Sequence, residues 1–497
     1  MPVNFVISTA SPAQVKTDLL VIPMYSDHIF GPGADAVDVA LDGGLSAFME
    51  QAVFGGKVGE KLVVPTSDAL GASSIVLIGL GKREEVTADG LRRAGAVAAK
   101  AAHEAVSMST TLASAGPTDL DVAEASQAVV EGVLLGRYEY LDYKSDPKPS
   151  KLKRVSLLGR SAALRRGMDR GISVGTAVIW ARDIVNTPGR DLSPAAFARA
   201  AQRLLRGKNV KVEVLDVPGL KRERLGGIIG VGMGSEQPPC LVKMTYAPAK
   251  SNATLALVGK GVTFDSGGLS LKPADGMEEM KTDEAGAAAV IAAMSVLKDF
   301  GVKTKVIAFT PMVENMPSGS AMRPGDVLTF RNGKTAEVRN TDAEGRLILA
   351  DALALAAEAK PDAIIDLATL TGACMVALGD KIAGLMTNDN SWGEQVRTAA
   401  DAVGEPVWPL PLPKEYKKLI YSEIADIRNT STSRYGGEIT AGLFLEEFVD
   451  GIPWVHLDIA GPSRTSSEDG YNCPGASGFG VRTLVELASR FRRPNRK

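Results

Sequence analysis

The sequence predicts an α/β protein of two domains. Three observations carry that expectation. The chain has 497 residues, too many for one ordinary domain. Short apolar strand signals alternate with Ala-rich helical stretches along nearly all of it. A polar segment at 138–153, carrying Pro147 and Pro149, breaks that alternation and marks a boundary. Residues 1–160 are expected to form an N-terminal α/β domain. Residues 161–185 form a linking helix, and 186–497 form the domain that carries the chemistry.

In the first domain, Asp18-Leu19-Leu20-Val21-Ile22-Pro23 and Ser74-Ile75-Val76-Leu77-Ile78-Gly79 are short apolar runs that read as buried strands. Thr87 stands where it can cap the Ala-rich helix that runs past His103. Gly79-Leu80-Gly81 follows a strand as a dinucleotide loop would, but the third glycine of that fingerprint is missing. A long helical stretch at 162–185 stops at Asn186-Thr187-Pro188-Gly189. Beyond it, strands are expected at 228–231, 241–246, 255–258, 305–309, 363–367 and 454–459. Helices such as 285–300 lie between them, so the sheet is expected to be covered on both faces. Gly230-Val231-Gly232-Met233-Gly234 reads as a loop with the wrong spacing for a nucleotide.

Composition narrows the chemistry. Hydrophobic residues make up 45% and charged residues 23%, ordinary for a soluble globular chain. The formal net charge of -2 gives no global field that favours nucleic acid. The one basic run, 490–497, is expected to be a frayed tail. Cys240, Cys374 and Cys473 are too few and too scattered for a disulfide framework or a CxxC metal site, which suits a reducing compartment. Met1-Pro2-Val3-Asn4-Phe5 shows no basic region leading into an apolar one, and no apolar run reaches membrane-spanning length. A cytoplasmic location is the expectation. Only His28, His103 and His456 occur, and HExxH is absent, which excludes the histidine-based zinc protease pattern. Any metal here must be held mainly by oxygen.

The chemistry-bearing stretch is Asn340-Thr341-Asp342-Ala343-Glu344-Gly345-Arg346-Leu347. In an extended strand end, Asp342, Glu344 and Arg346 would face one side together. A helical run at 347–359 follows, so the octet reads as a strand-to-helix junction, where open α/β sheets place ligands. Its two acids are either a solvated turn or hard ligands for a divalent ion. Earlier, the strand at 255–258 ends in Gly259-Lys260-Gly261-Val262-Thr263-Phe264-Asp265-Ser266-Gly267-Gly268, followed by Lys272-Pro273. A phosphate cradle would need glycine at 254, where Thr254 stands. Met280-Lys281-Thr282-Asp283 precedes an Ala-rich helix, where an acid is often only a helix N-terminal residue. Four carboxylates, Asp265, Asp283, Asp342 and Glu344, thus stand at element ends of one domain. Converging without metal, they would repel one another, and two divalent ions would remove that conflict.

These segments resemble the cytosolic leucyl aminopeptidase family, di-zinc enzymes that remove one residue from a peptide N-terminus. The likeness runs from about Asn186 to Leu487 and includes the octet, Gly259 to Gly268, Ala368-Thr369-Leu370-Thr371-Gly372-Ala373, His456-Leu457-Asp458-Ile459-Ala460-Gly461 and Gly475-Ala476-Ser477-Gly478. The resemblance implies a macro-like N-terminal α/β domain and a catalytic α/β/α domain with a mixed central sheet. It implies that Lys260, Asp265, Asp283 and Glu344 hold one ion, and that Asp265, Asp342 and Glu344 hold a more exchangeable one. The ions would be zinc or manganese, and Lys260 would bind as a neutral amine.

By the same resemblance, a metal-bridged water attacks the peptide carbonyl, Lys272 is the electrophile, and a bicarbonate on Arg346 is the general base. The substrate α-amine would meet Asp283. Met280, Thr369, Gly372 and Ala476 would line the side-chain pocket, with leucine or another apolar residue preferred. Assembly as a homohexamer is implied too. One position departs from the family pattern: Glu284 follows Asp283 where an apolar residue is usual. It either points to solvent from the helix start or alters the pocket or metal preference. Two other functions compete with the aminopeptidase: a non-catalytic scaffold and a di-metal hydrolase of another bond, such as a phosphoester.

Overall fold

A computed structural model describes residues 3–66, 70–433 and 435–494. The chain divides into two compact units. The first is Met1–Ile179 with Ser466–Pro474, and the second is Trp180–Thr465 with Gly475–Lys497. The division falls inside the helix Ala162–Asn186. Segment 138–153, expected as a boundary, holds no helix or strand.

The first unit is built on a six-stranded sheet. Its order is Asn4–Ser8, Arg154–Leu158, Ser107–Thr110, Thr17–Met24, Ala72–Gly79, Lys61–Pro65. All neighbours are parallel except the last pair. The side-chain period of two explains the continuous apolar runs. Val21, Val76 and Ile78 enter one core while Leu20, Ile22 and Leu77 enter another, so both faces are covered. Thr87 caps the helix Ala88–Ala101, accepting from the Gly90 amide at 3.0 Å. That helix also holds the late segment of the unit. Arg93 reaches Asp469 at 3.1 Å, Lys100 reaches Glu468 at 2.6 Å, and Asp89 takes the Tyr471 hydroxyl at 3.0 Å.

The second unit carries a nine-stranded mixed sheet. Its path is Val407–Pro409, Ala383–Thr387, Trp454–Asp458, Ala363–Ala368, Thr254–Gly259, Lys305–Asn315, Cys240–Tyr246, Val210–Leu215. Thr254–Gly259 lies between two parallel neighbours at its centre. Gly261–Asp265 leaves that strand and pairs instead with the far end of Lys305–Asn315. Ala256 and Val258 pack in the core that contains the helix Gly345–Glu358, and the equally buried Leu255 and Leu257 alternate with them. Both faces are therefore covered, as expected.

One expected strand is a helix. Residues 228–231 lie in Gly226–Gly232. The Asp351 carboxylate, from another helix, accepts from the Gly227 and Ile228 amides at 2.7 and 3.0 Å. An acid across the orphan amides of a helix start favours the helix over a strand. The glycines from 230 to 232, read as a loop, lie within it. The helix expected at 285–300 ends at Met294 and continues as turns. In the basic run, Arg490 closes the helix Val481–Arg490, and residues 495–497 lie outside the described residues.

Candidate metal centre

The central strand ends at Gly259, and Lys260 occupies the step before Gly261–Asp265 begins. Its amide donates to Leu367 O at 3.0 Å and its carbonyl accepts from Ala287 N at 2.8 Å. Both backbone groups are tied, so the side chain is aimed. It passes so close to the start of the next helix that a Cβ at Gly345 would lie 2.7 Å from Lys260 Cε. Any side chain there would have to push the end of Lys260 away from the acids it meets, which favours the glycine inside the octet.

Lys260 Nζ lies 2.8 Å from Asp283 Oδ1 and 3.0 Å from Glu344 Oε1. Asp283 Oδ1 also accepts from Thr369 Oγ1 at 2.7 Å. Lys272 Nζ lies 2.8 Å from Asp265 Oδ2 and 2.5 Å from Asp342 Oδ1. Asp265 Oδ1 accepts from the Gly267 amide at 2.9 Å and from Asn315 Nδ2 at 2.8 Å. The turn that brings Lys272 back passes through Gly267 and Gly268 at φ +85 and +65, the left-handed region that suits glycine.

The octet is not a strand end. Asn340 Oδ1 accepts from the Asp342 amide at 2.8 Å and Asn340 O from the Ala343 amide at 3.2 Å, so the chain turns there. The helix then starts at Gly345, with Arg346 in its first turn. Asp342, Glu344 and Arg346 still reach one cavity, through a turn and a helix start instead of strand alternation.

That cavity has a volume of about 340 Å³. Lys260, Asp265, Lys272, Met280, Asp283, Asp342, Glu344, Arg346, Thr369 and Gly372 all line it. Ala476 does not. It is fully buried, opposite Arg464 in a short antiparallel pair, and Arg464 is the residue of that pair that reaches the cavity. Met375, Ala460, Ser463 and Arg464 line it too. Sequence reasoning missed them, although Ala460 lies in a quoted motif and the other three border one. A larger groove of about 1340 Å³ beside Phe448 shares no residue with the acids, so volume alone does not pick the site. None of the three histidines lines the cavity. His28 is exposed, His103 is half-buried, and His456 is buried with Nδ1 2.6 Å from Asp366 Oδ1.

The electrostatics follow from burial and crowding. Burial alone would pull the Lys260 ammonium down, but Asp283, Glu344 and Asp265 outweigh it and hold it above its ordinary range. Burial pushes Asp283 up to about 6 and Glu344 up to about 8, against the pull of Lys260. The opposite preferences of these neighbours are consistent. The lysine has three carboxylates around it, while each carboxylate has an ammonium and several like charges. Burial lowers Arg346 to about 10, which leaves it a cation at neutral pH. Its Nη1 donates to Asn429 O at 2.7 Å.

The donor set fits hard divalent ions. Asp265, Asp342 and Glu344 offer oxygens that all lie within 4.8 Å of one another. Asp283 Oδ2 and Glu344 Oε2 are buried with no hydrogen-bond partner. Orphaned buried carboxylate oxygens are costly unless something positive completes them.

Residues 179–485 match the cytosol aminopeptidase family, catalytic domain, and residues 21–147 match its N-terminal domain. The chain belongs to the cytosol aminopeptidase family. It is 44% identical over 510 residues to a probable cytosol aminopeptidase of Streptomyces griseus, covering 97% of this chain and 98% of the relative. A probable cytosol aminopeptidase of Alkaliphilus metalliredigens is 40% identical, over 96% of this chain and 97% of its own. Among solved structures, the bottromycin maturation enzyme BotP in complex with Mn superposes with a TM-score of 0.86 at 36% identity, over 95% of this chain and 99% of that one. A tomato leucine aminopeptidase variant superposes at 0.88 with 34% identity, over 98% and 97%. Membership makes the chain a metallo-aminopeptidase, with peptides as its substrates, and the acid cluster is its metal-binding candidate.

Glu284, expected as a departure from the family pattern, is not at the surface. It is fully buried, and both carboxylate oxygens lack a partner. The helix it precedes, Ala285–Met294, is buried at every position, so its first turn has no solvent face. That signal was present in the sequence, as Ala285-Gly286-Ala287-Ala288-Ala289-Val290-Ile291-Ala292-Ala293-Met294 contains no polar side chain.

Proposed function

We propose that the protein removes an N-terminal leucine or other apolar residue from peptides, using two divalent ions per chain. The observation that carries this reading is the convergence of Asp265, Asp283, Asp342 and Glu344, with Lys260 and Lys272, on one cavity. Lys260, Asp265, Asp283 and Glu344 would hold one ion, and Asp265, Asp342 and Glu344 the other, zinc or manganese in each case. Bound ions supply Lewis-acid polarisation and a water of lowered pKa. Lys260 would bind as a neutral amine. The protein's own carboxylates act against that, so the charge of the ions must displace its proton.

The chain's own groups divide the remaining work. Lys272, a partly exposed ammonium beside Asp265 and Asp342, donates to the oxygen of the scissile carbonyl as negative charge builds on it. Asp283 receives the substrate α-amine, which restricts cleavage to the first residue. Arg346 keeps a buried Nε–H without a hydrogen-bond partner, a spare donor for an anion. Bicarbonate is the anion proposed there, as general base. Met280, Thr369 and Gly372 shape the wall that meets the first side chain. The family likeness further supports a cytoplasmic location and a homohexamer, the latter checked by light scattering.

The test is hydrolysis of leucine amide beside N-acetyl-leucine amide, with manganese or zinc and a chelator control. Cleavage of the first only, abolished by chelation, is the expected result. Cleavage of both removes the amine-binding role of Asp283. Cleavage of neither by metal-loaded protein overturns the reading.

A further inference from the structure

We propose that Arg464 is a subsite for a substrate carboxylate, set in the wall of the proposed active-site cavity. The inference rests on the aminopeptidase reading above and adds a selectivity to it. Four basic side chains line the cavity among the described residues. Lys260 and Lys272 are committed to the acid cluster, and Arg346 is buried against the Asn429 carbonyl. Arg464 differs. Its Nη1 lies 3.0 Å from Glu279 Oε1, and Glu279 stands outside the cavity lining. The two side chains are 30% and 40% exposed. Exposed pairs of this kind are weak and exchange readily, so an incoming carboxylate competes on equal terms.

The backbone behind Arg464 is fixed while its guanidinium is exchangeable. Ser463 donates to Ile459 O at 3.0 Å and accepts from the Ser477 amide at 3.0 Å. Arg464 itself pairs with Ala476, whose amide donates to Asn186 Oδ1 at 3.0 Å. Glu279 directly precedes Met280 on the short turn Glu278–Thr282, so the pair stands beside the wall proposed for the first side chain. A guanidinium fork suits a carboxylate in geometry as well as charge. Two sources present the group: an acidic side chain on the first residue, or the terminal carboxylate of a dipeptide.

The test compares two matched pairs with manganese-loaded enzyme, using leucine amide as the reference substrate. Leu-Gly against Leu-glycinamide reads the terminal carboxylate. Glutamyl-p-nitroanilide against glutaminyl-p-nitroanilide reads the side chain. In R464Q the kcat/KM ratio of acid to amide is expected to fall by roughly tenfold in one pair, mainly through KM, the size of one charge-assisted hydrogen bond. In E279Q, which removes the competing carboxylate and keeps the arginine, the same ratio is expected to rise. The pair that moves names the source. If neither ratio moves in either variant while leucine amide is still cleaved, the subsite is overturned and the aminopeptidase reading stands. If wild-type enzyme leaves leucine amide intact, that reading fails and the subsite with it.

Discussion

Lys260 Nζ lies 2.8 Å from Asp283 Oδ1, and both residues are almost wholly buried. A buried ion pair is weak support for stability by itself, because desolvation offsets the attraction. Here the pair also sits among surplus acids, and both Asp283 and Glu344 are held above their ordinary range by burial. The sign of the consequence follows. Unfolded values near 3.8 and 4.5 rise to about 6 and about 8 in the fold, so between them the native protein holds more protons than the unfolded chain. Stability from these groups is present at low pH and lost as pH rises. Chelator-treated protein should therefore melt at a lower temperature at pH 8 than at pH 5. Saturating manganese should weaken or reverse that slope, since the ions then take the place of the protons. A higher Tm for the stripped protein at pH 8 would sink the excess-acid account of the site.

Lys272 is read as a donor to the reacting oxygen, not as a structural cation. Its partial exposure supports this, as does its place at the end of a glycine turn rather than in the sheet. Lys272→Ala should keep the ions and lose about 10²–10³ in kcat, the usual cost of one oxyanion donor. Metal content by plasma mass spectrometry beside turnover of leucine amide checks both halves. Full turnover in a metal-replete variant would remove the role.

The four acids were legible in the sequence as candidates because they sit at element ends, where a carboxylate is free to face a cavity, but it was the family resemblance that grouped them into one site. Its supports were not legible. Asn315 donates to Asp265 Oδ1 at 2.8 Å and to Thr341 O at 3.0 Å, joining two parts of the site 50 and 26 residues away. Asn429 Nδ2 donates to Asn340 O at 2.7 Å and braces the octet from 89 residues downstream. A lone asparagine gives no periodic signal, so only the fold shows what it holds. The octet itself misled. Alternate charges resemble a strand, but the Asn340 carboxamide captures the Asp342 amide and sets a turn. Residues 228–231 misled for a similar reason, since the carboxylate that favours their helix comes from Asp351, far along the chain.

Asp265 touches more of the site than any other acid: the Gly267 amide, Asn315 and Lys272. It is also the acid proposed to serve both ions. Asp265→Ala should lose both ions per chain, whereas Asp342→Ala should lose only the more exchangeable one. The measurement is metal per chain after gel filtration in buffer of low metal content. Two ions retained by Asp265→Ala would exclude a bridging role.

Glu284 was singled out in the sequence as a departure from the expected pattern, and its burial makes a sharp prediction. Both oxygens are buried without partners, and burial pushes the carboxyl well above its ordinary 4.5. The native protein therefore takes up a proton here on folding, and stability is lost as pH rises past the unfolded value. Glu284→Met, which fills similar volume without polar atoms, should remove that loss. The variant should gain about 1–3 kcal/mol over wild type at pH 8 and less at pH 5. Denaturant unfolding of metal-loaded protein at the two pH values gives the comparison. If the substitution instead destabilises at both, the carboxylate has a positive partner in the loaded enzyme, and Glu284 would then bear on metal preference rather than on stability.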